Sequence, residues 1–388
     1  MKKSIYLDYN ATTPVDRRVL ETMLPYFSEN YGNAASRTHA YGWIAEEAVK
    51  KAREELAQLI NCLAQEIIFT SGATESISLA INGVWENYQT KGKHIITVKT
   101  EHKAILDTCN SLKLKGAEVT YLSVDREGLI DLEELKKELR PNTILVAIMY
   151  ANNETGVIQP IQQIAELVHA NNSLFMCDAS QAIGKIFCNV EDDNIDLMCI
   201  SAHKYYGPKG VGALYIRRKN PRVTIAPQIY GGGHERGLRS GTLNVPGIVG
   251  LGKASEIARL EMWEDSVRIS KLRTKLEQEL CSLKNVYING SIKNRLFNVT
   301  NILIQGIRSE TILKKNPYMG LSIGSACTSA NQAPSHVLKA MGLNDSDCYS
   351  SIRFSLGKYT TADEINEVIK TFVDIIKLDS INKNRQLD

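Results

Sequence analysis

Short apolar strands alternate with helical stretches along most of this chain, which predicts an α/β protein. The predicted strands lie at 67–70, 94–98, 117–122, 143–149, 173–177, 195–201 and 212–216. Helical periodicity follows several of them, for example over 161–168, where Ile161, Ile164, Ala165 and Val168 share one face. This order of elements is typical of a mostly parallel sheet with helices on both faces.

The pattern changes in the last third of the chain and predicts a second, smaller α+β domain. One long helical stretch near 246–283 leads into it. We therefore assign residues 15–258 to a large domain, and residues 1–14 and 259–388 to a small domain. The small domain includes a loop at about 321–334 that has neither strand nor helix periodicity.

The composition of the chain limits which binding partners and which cellular compartment we expect. The 388 residues include 46 basic and 43 acidic side chains, a near balance that favours neither nucleic acid nor a membrane surface as a partner. No run of 18 apolar residues is present. The eight cysteines are dispersed without a CxxC pair, which indicates a reduced, cytoplasmic protein. We interpret the basic run 217–219 as a solvated turn after a strand.

Five polar groups of different kinds follow five of the predicted strands. Lys204 and Asp178 are the most informative, because a lysine can form a Schiff base while a carboxylate keeps a pyridine nitrogen protonated. Residues 71–75 present a helix N-terminus to which a phosphate can bind. His102 can stack on a flat ring, and Asn153 follows a further strand. Each alone has a plainer explanation, such as a solvated lysine or a helix-capping aspartate. Together they predict a ligand site at the carboxyl edge of the sheet.

Cys327 stands apart from the other cysteines. It lies in a run of small residues, 322–331, with no strand or helix pattern. A structural cysteine usually has bulky apolar neighbours, so this position favours a thiolate on a mobile loop that reaches a ligand. An idle loop cysteine is the alternative.

Three segments, 201–210, 231–242 and 324–329, together resemble the NifS/IscS cysteine desulfurases. That family belongs to the class V aminotransferase group of fold-type I pyridoxal-phosphate (PLP) enzymes. The resemblance extends from Tyr6–Pro14 to Arg353–Gly357, which is nearly the whole chain. The Ser-Ala-Cys-Thr sequence around Cys327 is similar to the long-loop subgroup that serves iron–sulfur cluster assembly.

The resemblance implies a role for each matching residue. Lys204 would hold PLP, and His102 would stack on its ring and move a proton during catalysis. The other cofactor contacts would be Ala73, Thr74, Asn153, Asp178, Gln181, Ser201, His203 and, from a second subunit, Thr242. The last contact implies a homodimer. Arg353, assisted by Asn33, would bind the substrate carboxylate.

The implied reaction removes sulfur from L-cysteine, giving L-alanine and a persulfide on Cys327. An iron–sulfur scaffold protein of the IscU/NifU type would accept the sulfur. Through the persulfide, Cys327 would be a metal ligand of a [2Fe-2S] cluster shared with that scaffold. The alternatives are a selenocysteine lyase, another class V enzyme such as a transaminase, and a sulfur carrier that works without PLP.

Overall fold

Twelve strands and twelve helices make up the described part of the chain. The structure, a computed structural model, describes residues 4–323 and 333–384, with side chains described as far as residue 378. The strands are β1 Ile5–Tyr6, β2 Ile67–Thr70, β3 His94–Val98, β4 Glu118–Leu122, β5 Thr143–Met149, β6 Leu174–Asp178, β7 Leu197–Ser201, β8 Gly212–Ile216, β9 Val286–Asn289, β10 Val299–Ile304, β11 Met319–Gly320 and β12 Ser351–Ser355. The helices are α1 Arg17–Met23, α2 Pro25–Ser28, α3 Ala40–Ile60, α4 Ala73–Tyr88, α5 Lys103–Lys113, α6 Leu132–Glu138, α7 Ile161–Ala170, α8 Val245–Cys281, α9 Ser309–Lys315, α10 His336–Ala340, α11 Asp345–Tyr349 and α12 Ala362–Asn384.

The central sheet has seven strands in the order β2-β8-β7-β6-β5-β3-β4. Strand β8 is antiparallel to both of its neighbours, and the remaining pairs are parallel. Six strands therefore run in one direction, and their carboxyl ends meet at one edge. The predicted mostly parallel sheet is confirmed.

Both faces of this sheet are covered, as its uninterrupted apolar strands require. In β5, Val146 and Ile148 pack with α3, α7 and the first part of α8, whereas Leu145 and Ala147 pack with α4 and α5 on the opposite face. The alternation is the two-residue period of a strand with two buried faces.

A second hydrophobic core surrounds the antiparallel sheet β12-β10-β9. Phe354 and Phe372 pack edge to face in it, with 5.1 Å between ring centroids. Leu7, near the amino end, and Leu276, late in α8, belong to the same cluster. Helix α8 thus spans both cores, since its early residue Leu251 lies in the core of the large sheet.

The prediction for the basic run at 217–219 was wrong for Arg217. Its side chain is buried; Nε donates to the Ile195 carbonyl, and Nη1 donates to Asn194 Oδ1 at 2.6 Å. The guanidinium also lies 3.6 Å from the buried carboxylate of Asp196. Burial is tolerated because the opposite charge and these acceptors replace water. Lys219 is exposed, as expected.

No helix within the described ranges has the length and apolar character needed to cross a bilayer.

Candidate active site

The five predicted groups follow β2, β3, β5, β6 and β7, which all point the same way. Their carboxyl ends form one edge of the sheet, where ligands of such folds bind. The sequence prediction that these groups share one edge is confirmed.

Lys204 ends a 3₁₀ turn, Ala202–Lys204, that directly follows β7. Its Nζ donates to the carbonyl oxygens of Asn10 and Ala11, at 2.8 and 2.9 Å. Burial and the positive charge of Arg353 lower the pKa of Lys204 to about 8, against the opposing effect of nearby carboxylates. The amine can therefore lose its proton near neutral pH, as a nucleophile or general base must.

Asp178 is buried at the end of β6, next to the strand that leads to Lys204. Its Oδ1 accepts hydrogen bonds from the backbone N–H of Ser180 at 2.9 Å and from the Ser180 hydroxyl at 2.5 Å. Gln181 is also buried, and its Nε2 donates to the Asn10 carbonyl at 3.0 Å. A buried carboxylate held in this way suits a protonated ring nitrogen.

The N-terminus of α4 is open. Its N-cap residue, Gly72, makes no side-chain capping bond, so the first-turn N–H groups at Ala73 and Thr74 remain available to an anion. Gly72 has φ +149°, and a Cβ atom added at this position would lie 3.7 Å from Ser201 Oγ. Glu75, in the same turn, is paired with Arg239 at 2.8 Å.

Two histidines flank this region. His203 Nδ1 lies 3.1 Å from Thr12 Oγ1, and burial together with Lys204 and Lys209 lowers its pKa to about 4. His102 is the N-cap of α5, and its Nδ1 accepts from the Ala104 N–H at 3.1 Å. Neutral His102 therefore carries its proton on Nε2. Burial of the imidazole by surrounding protein atoms lowers the pKa of His102, although part of the residue is exposed.

Arg353 enters the site from β12 in the other sheet. It is buried, its Nη1 donates to the Asn153 carbonyl at 2.9 Å, and its Nη2 pairs with Asp8 at 2.6 Å. Its Nε is buried with no hydrogen-bond partner among the described residues. Asp8 and the Asn153 carbonyl thus fix the position of the Arg353 guanidinium.

Two predicted residues lie away from these contacts. Asn33 is exposed between α2 and α3, and its Oδ1 accepts from the Ala35 N–H. Thr242 is exposed at the end of the glycine-rich segment 231–242. Within the described parts of the chain, no hydrogen bond joins either of them to Lys204, Asp178 or Arg353.

The sequence analysis did not identify Asn10, which forms hydrogen bonds with several groups of the site. Asn10 is buried; its carbonyl accepts from Lys204 and Gln181, and its Nδ2 donates to the Asn153 carbonyl at 3.1 Å. The available signal was a polar residue following the first apolar strand, inside the Tyr6–Pro14 stretch. No pattern near Asn10 indicates that it meets residues more than 140 positions away.

Cys327 lies outside the described residues, so its predicted position and its role as a cluster ligand remain predictions. The flanks of its segment are described. Ser322 forms a bridge with Arg353, whose N–H donates to the Ser322 carbonyl at 2.7 Å. On the other side, Ser335 donates to Glu154 Oε2 at 2.5 Å, and His336 Nε2 lies 2.9 Å from the Glu101 carbonyl. Both flanks are therefore anchored at the edge of the cleft.

Comparison with known proteins places this site in a family. The class V aminotransferase model matches residues 5–368. The chain belongs to the class V aminotransferase family. The class V family assignment and the fold-type I expectation are thereby confirmed.

Two curated relatives carry the name cysteine desulfurase IscS. One, from Anaeromyxobacter sp. (strain Fw109-5), is 53% identical over 97% of this chain and 93% of its own length. The other, from Haemophilus influenzae (strain PittGG), is 54% identical over 95% of this chain and 92% of its own length. A solved structure described as a NifS-like protein is 41% identical, with a TM-score of 0.90 over 97% of this chain and all of its own. The resemblance to the NifS/IscS desulfurases is confirmed.

The residues of this class V site fit a phosphorylated pyridine aldehyde. The depressed pKa of Lys204 suits attack on an aldehyde, and the buried Asp178 suits the ring nitrogen. The uncapped start of α4 suits the phosphate. Among the described residues, no group of three or more His, Cys, Asp or Glu side chains is arranged to hold a metal ion.

Proposed function

We propose that this chain is a cysteine desulfurase that uses PLP in the Lys204 cleft to move sulfur from L-cysteine to Cys327, releasing L-alanine. One observation carries the proposal: a lysine with a pKa of about 8 shares a sheet edge with a buried aspartate and an uncapped helix N-terminus. The names of relatives about half identical along nearly the whole chain support the choice of substrate.

The chemistry divides between the cofactor and the chain. When bound, PLP supplies an electron sink for the substrate. Lys204 removes the proton from the substrate α-carbon, for which an amine near its pKa is suited. The Cys327 thiolate attacks the substrate sulfur; an S–S bond forms, and the C–S bond breaks with its electron pair left on carbon. Cys327 releases one proton on becoming a thiolate, and His102 shuttles this proton to the substrate carbon to complete alanine.

Two substitutions test this assignment. In Lys204→Ala, we expect neither sulfide nor alanine from L-cysteine, because the α-proton has no acceptor. In Cys327→Ala, L-cysteine should still bind, but sulfide release should stop. Lys219→Ala, at an exposed lysine, and Cys281→Ala, at a half-buried cysteine, are the matched controls and should keep wild-type turnover. Full sulfide release from Cys327→Ala would refute the persulfide step and favour a lyase.

A homodimer is part of the proposal, with Thr242 binding the cofactor phosphate of the partner subunit. The exposure of Thr242 supports this arrangement, as does the anchoring of its segment to the large sheet. Glu235 in that segment accepts from the Phe69 N–H at the free edge of β2 and pairs with Arg53 at 2.6 Å. Light scattering should give a dimer mass, and Thr242→Val should lose PLP faster while remaining dimeric. A monomer with full activity would contradict this.

We infer that the sulfur acceptor is an iron–sulfur scaffold protein of the IscU/NifU type. The anchored flanks of the Cys327 segment support delivery from the edge of the cleft. Label from ³⁵S-cysteine should reach a purified scaffold only when Cys327 is present. The seven described cysteines are free thiols, which supports the proposed cytoplasmic location.

The proposed division into a large domain, 15–258, and a small domain, 1–14 with 259–388, is supported by the two cores. Leu7 and Phe354 lie in the small core. Limited proteolysis that leaves either unit intact would test the boundaries.

A further inference from the structure

Lys185 is a buried lysine that has no role in the proposed mechanism. It lies four residues after Gln181, in the turns that follow β6, and only 8% of its surface is exposed. Burial and the like charges of Lys204 and Arg353 lower its pKa well below the usual value. Among the described residues, no carboxylate forms an ion pair with it. A buried amine without a counter-ion is costly, so its contacts require an explanation.

Both hydrogen bonds of Lys185 go to side-chain amide oxygens. Nζ donates to Gln181 Oε1 at 2.7 Å and to Asn10 Oδ1 at 3.2 Å. Whether charged or neutral, the amine has at least two N–H groups, and it donates one to each amide oxygen. The amide nitrogens must then point the other way. Gln181 Nε2 faces the Asn10 carbonyl, and Asn10 Nδ2 faces the Asn153 carbonyl.

These two amides lead directly to the reacting groups. The Asn10 carbonyl that accepts from Gln181 also accepts from Lys204 at 2.8 Å. The Asn153 carbonyl that accepts from Asn10 also accepts from Arg353 at 2.9 Å. Asn298 Nδ2 also donates to Asn10 Oδ1, at 3.1 Å, whereas Lys185 is the donor to Gln181 Oε1. Lys185 therefore helps to orient a connected network that ends on Lys204 and Arg353.

We propose that Lys185 is a positioning residue that fixes the Gln181 and Asn10 amides, so that Gln181 presents an N–H, and never its oxygen, to the ring oxygen of the cofactor. The inference rests on the proposed PLP function. Without Lys185, Gln181 Oε1 loses its donor and only the bond from Nε2 to the Asn10 carbonyl still holds the amide. The amide then turns more readily and can direct its own oxygen at an anionic oxygen, which is repulsive.

Lys185→Met tests this, because methionine keeps the apolar stem and removes the donor. The measurement is the pH midpoint of the change in visible absorption of bound PLP in the purified holoenzyme. Loss of a donor to the ring oxygen raises the proton affinity of the chromophore, so we expect a midpoint about one pH unit higher, a tenfold change. Lys219→Met is the control and should leave the midpoint unchanged. If Lys185→Met does not fold, Lys185→Gln, which retains a donor, should give a smaller shift in the same direction.

A double-mutant cycle separates positioning from a direct effect of the Lys185 charge. Gln181→Met alone should raise the midpoint, and adding Lys185→Met should then change it by less than about a third of its effect in the wild type. A fully additive shift, or no shift in Lys185→Met, would overturn the proposal. If the wild-type protein shows no visible PLP band, the proposed function fails instead, which keeps the two failures distinct.

Discussion

The protonation of Lys204 gives the most direct quantitative test of the cleft. Its pKa is lowered to about 8, with burial as the largest cause and Arg353 as the next. At pH 8 about half of the Lys204 amines are then free base, against roughly 0.4% for a lysine with the ordinary pKa of about 10.4. Cofactor-free protein should therefore capture PLP on the order of a hundred times faster at pH 8 than an ordinary lysine would.

Substitutions at the neighbouring ion pair should move this pKa in opposite directions. Arg353→Met removes a positive charge and leaves Asp8 unpaired, so the Lys204 pKa should rise. Two unit charges about 10 Å apart at an effective dielectric constant of about 20 interact by about 1.7 kcal/mol, which corresponds to about one pH unit. Asp8→Asn is the matched counterpart; it removes a carboxylate that raises the Lys204 pKa, so the pKa should fall.

The assay is stopped-flow capture of PLP by cofactor-free protein as a function of pH, with circular dichroism to verify folding. Below the Lys204 pKa the ammonium cannot attack the aldehyde, so the rate should fall about tenfold per pH unit. Above the pKa the rate should level off. A wild-type midpoint near the ordinary lysine value would refute the reasoning. Shifts of the same sign in Arg353→Met and Asp8→Asn would do so as well.

Three further predictions concern the support of the site. Arg53→Met should lower the free energy of unfolding, measured by urea titration, by about 3 kcal/mol, because it leaves the Glu235 carboxylate buried without its partner. Adding Glu235→Gln to the same chain should recover much of the lost stability. Arg239→Gln should weaken PLP binding about tenfold in equilibrium titration, because Glu75, in the first turn of α4, then lacks its counter-ion near the proposed phosphate position; the double variant with Glu75→Gln should bind normally. Gly212→Ala should lower the urea midpoint, because its Cβ would lie 2.4 Å from a carbonyl oxygen of β7; an unchanged midpoint would contradict the close packing.

The sequence by itself determined the features that depend on near neighbours. Apolar runs predicted the strands, and the residue after each strand predicted what would stand at the sheet edge, as with Asp178 and Lys204. These predictions succeed because strand direction and the two-residue period are local properties, and parallel strands bring their carboxyl ends together. The class V resemblance added roles that no local pattern contains.

Only the tertiary structure decided which distant groups share one environment. The sequence predicted that Arg217 lies on the surface, but in the folded chain it is buried against Asp196 and the Ile195 carbonyl. Asn10 and Lys185 lie 175 residues apart, yet they form a hydrogen bond beside Lys204. Their contacts depend on how the amino-terminal segment packs across the sheet edge, and burial, which lowers the lysine pKa values, arises only from that packing.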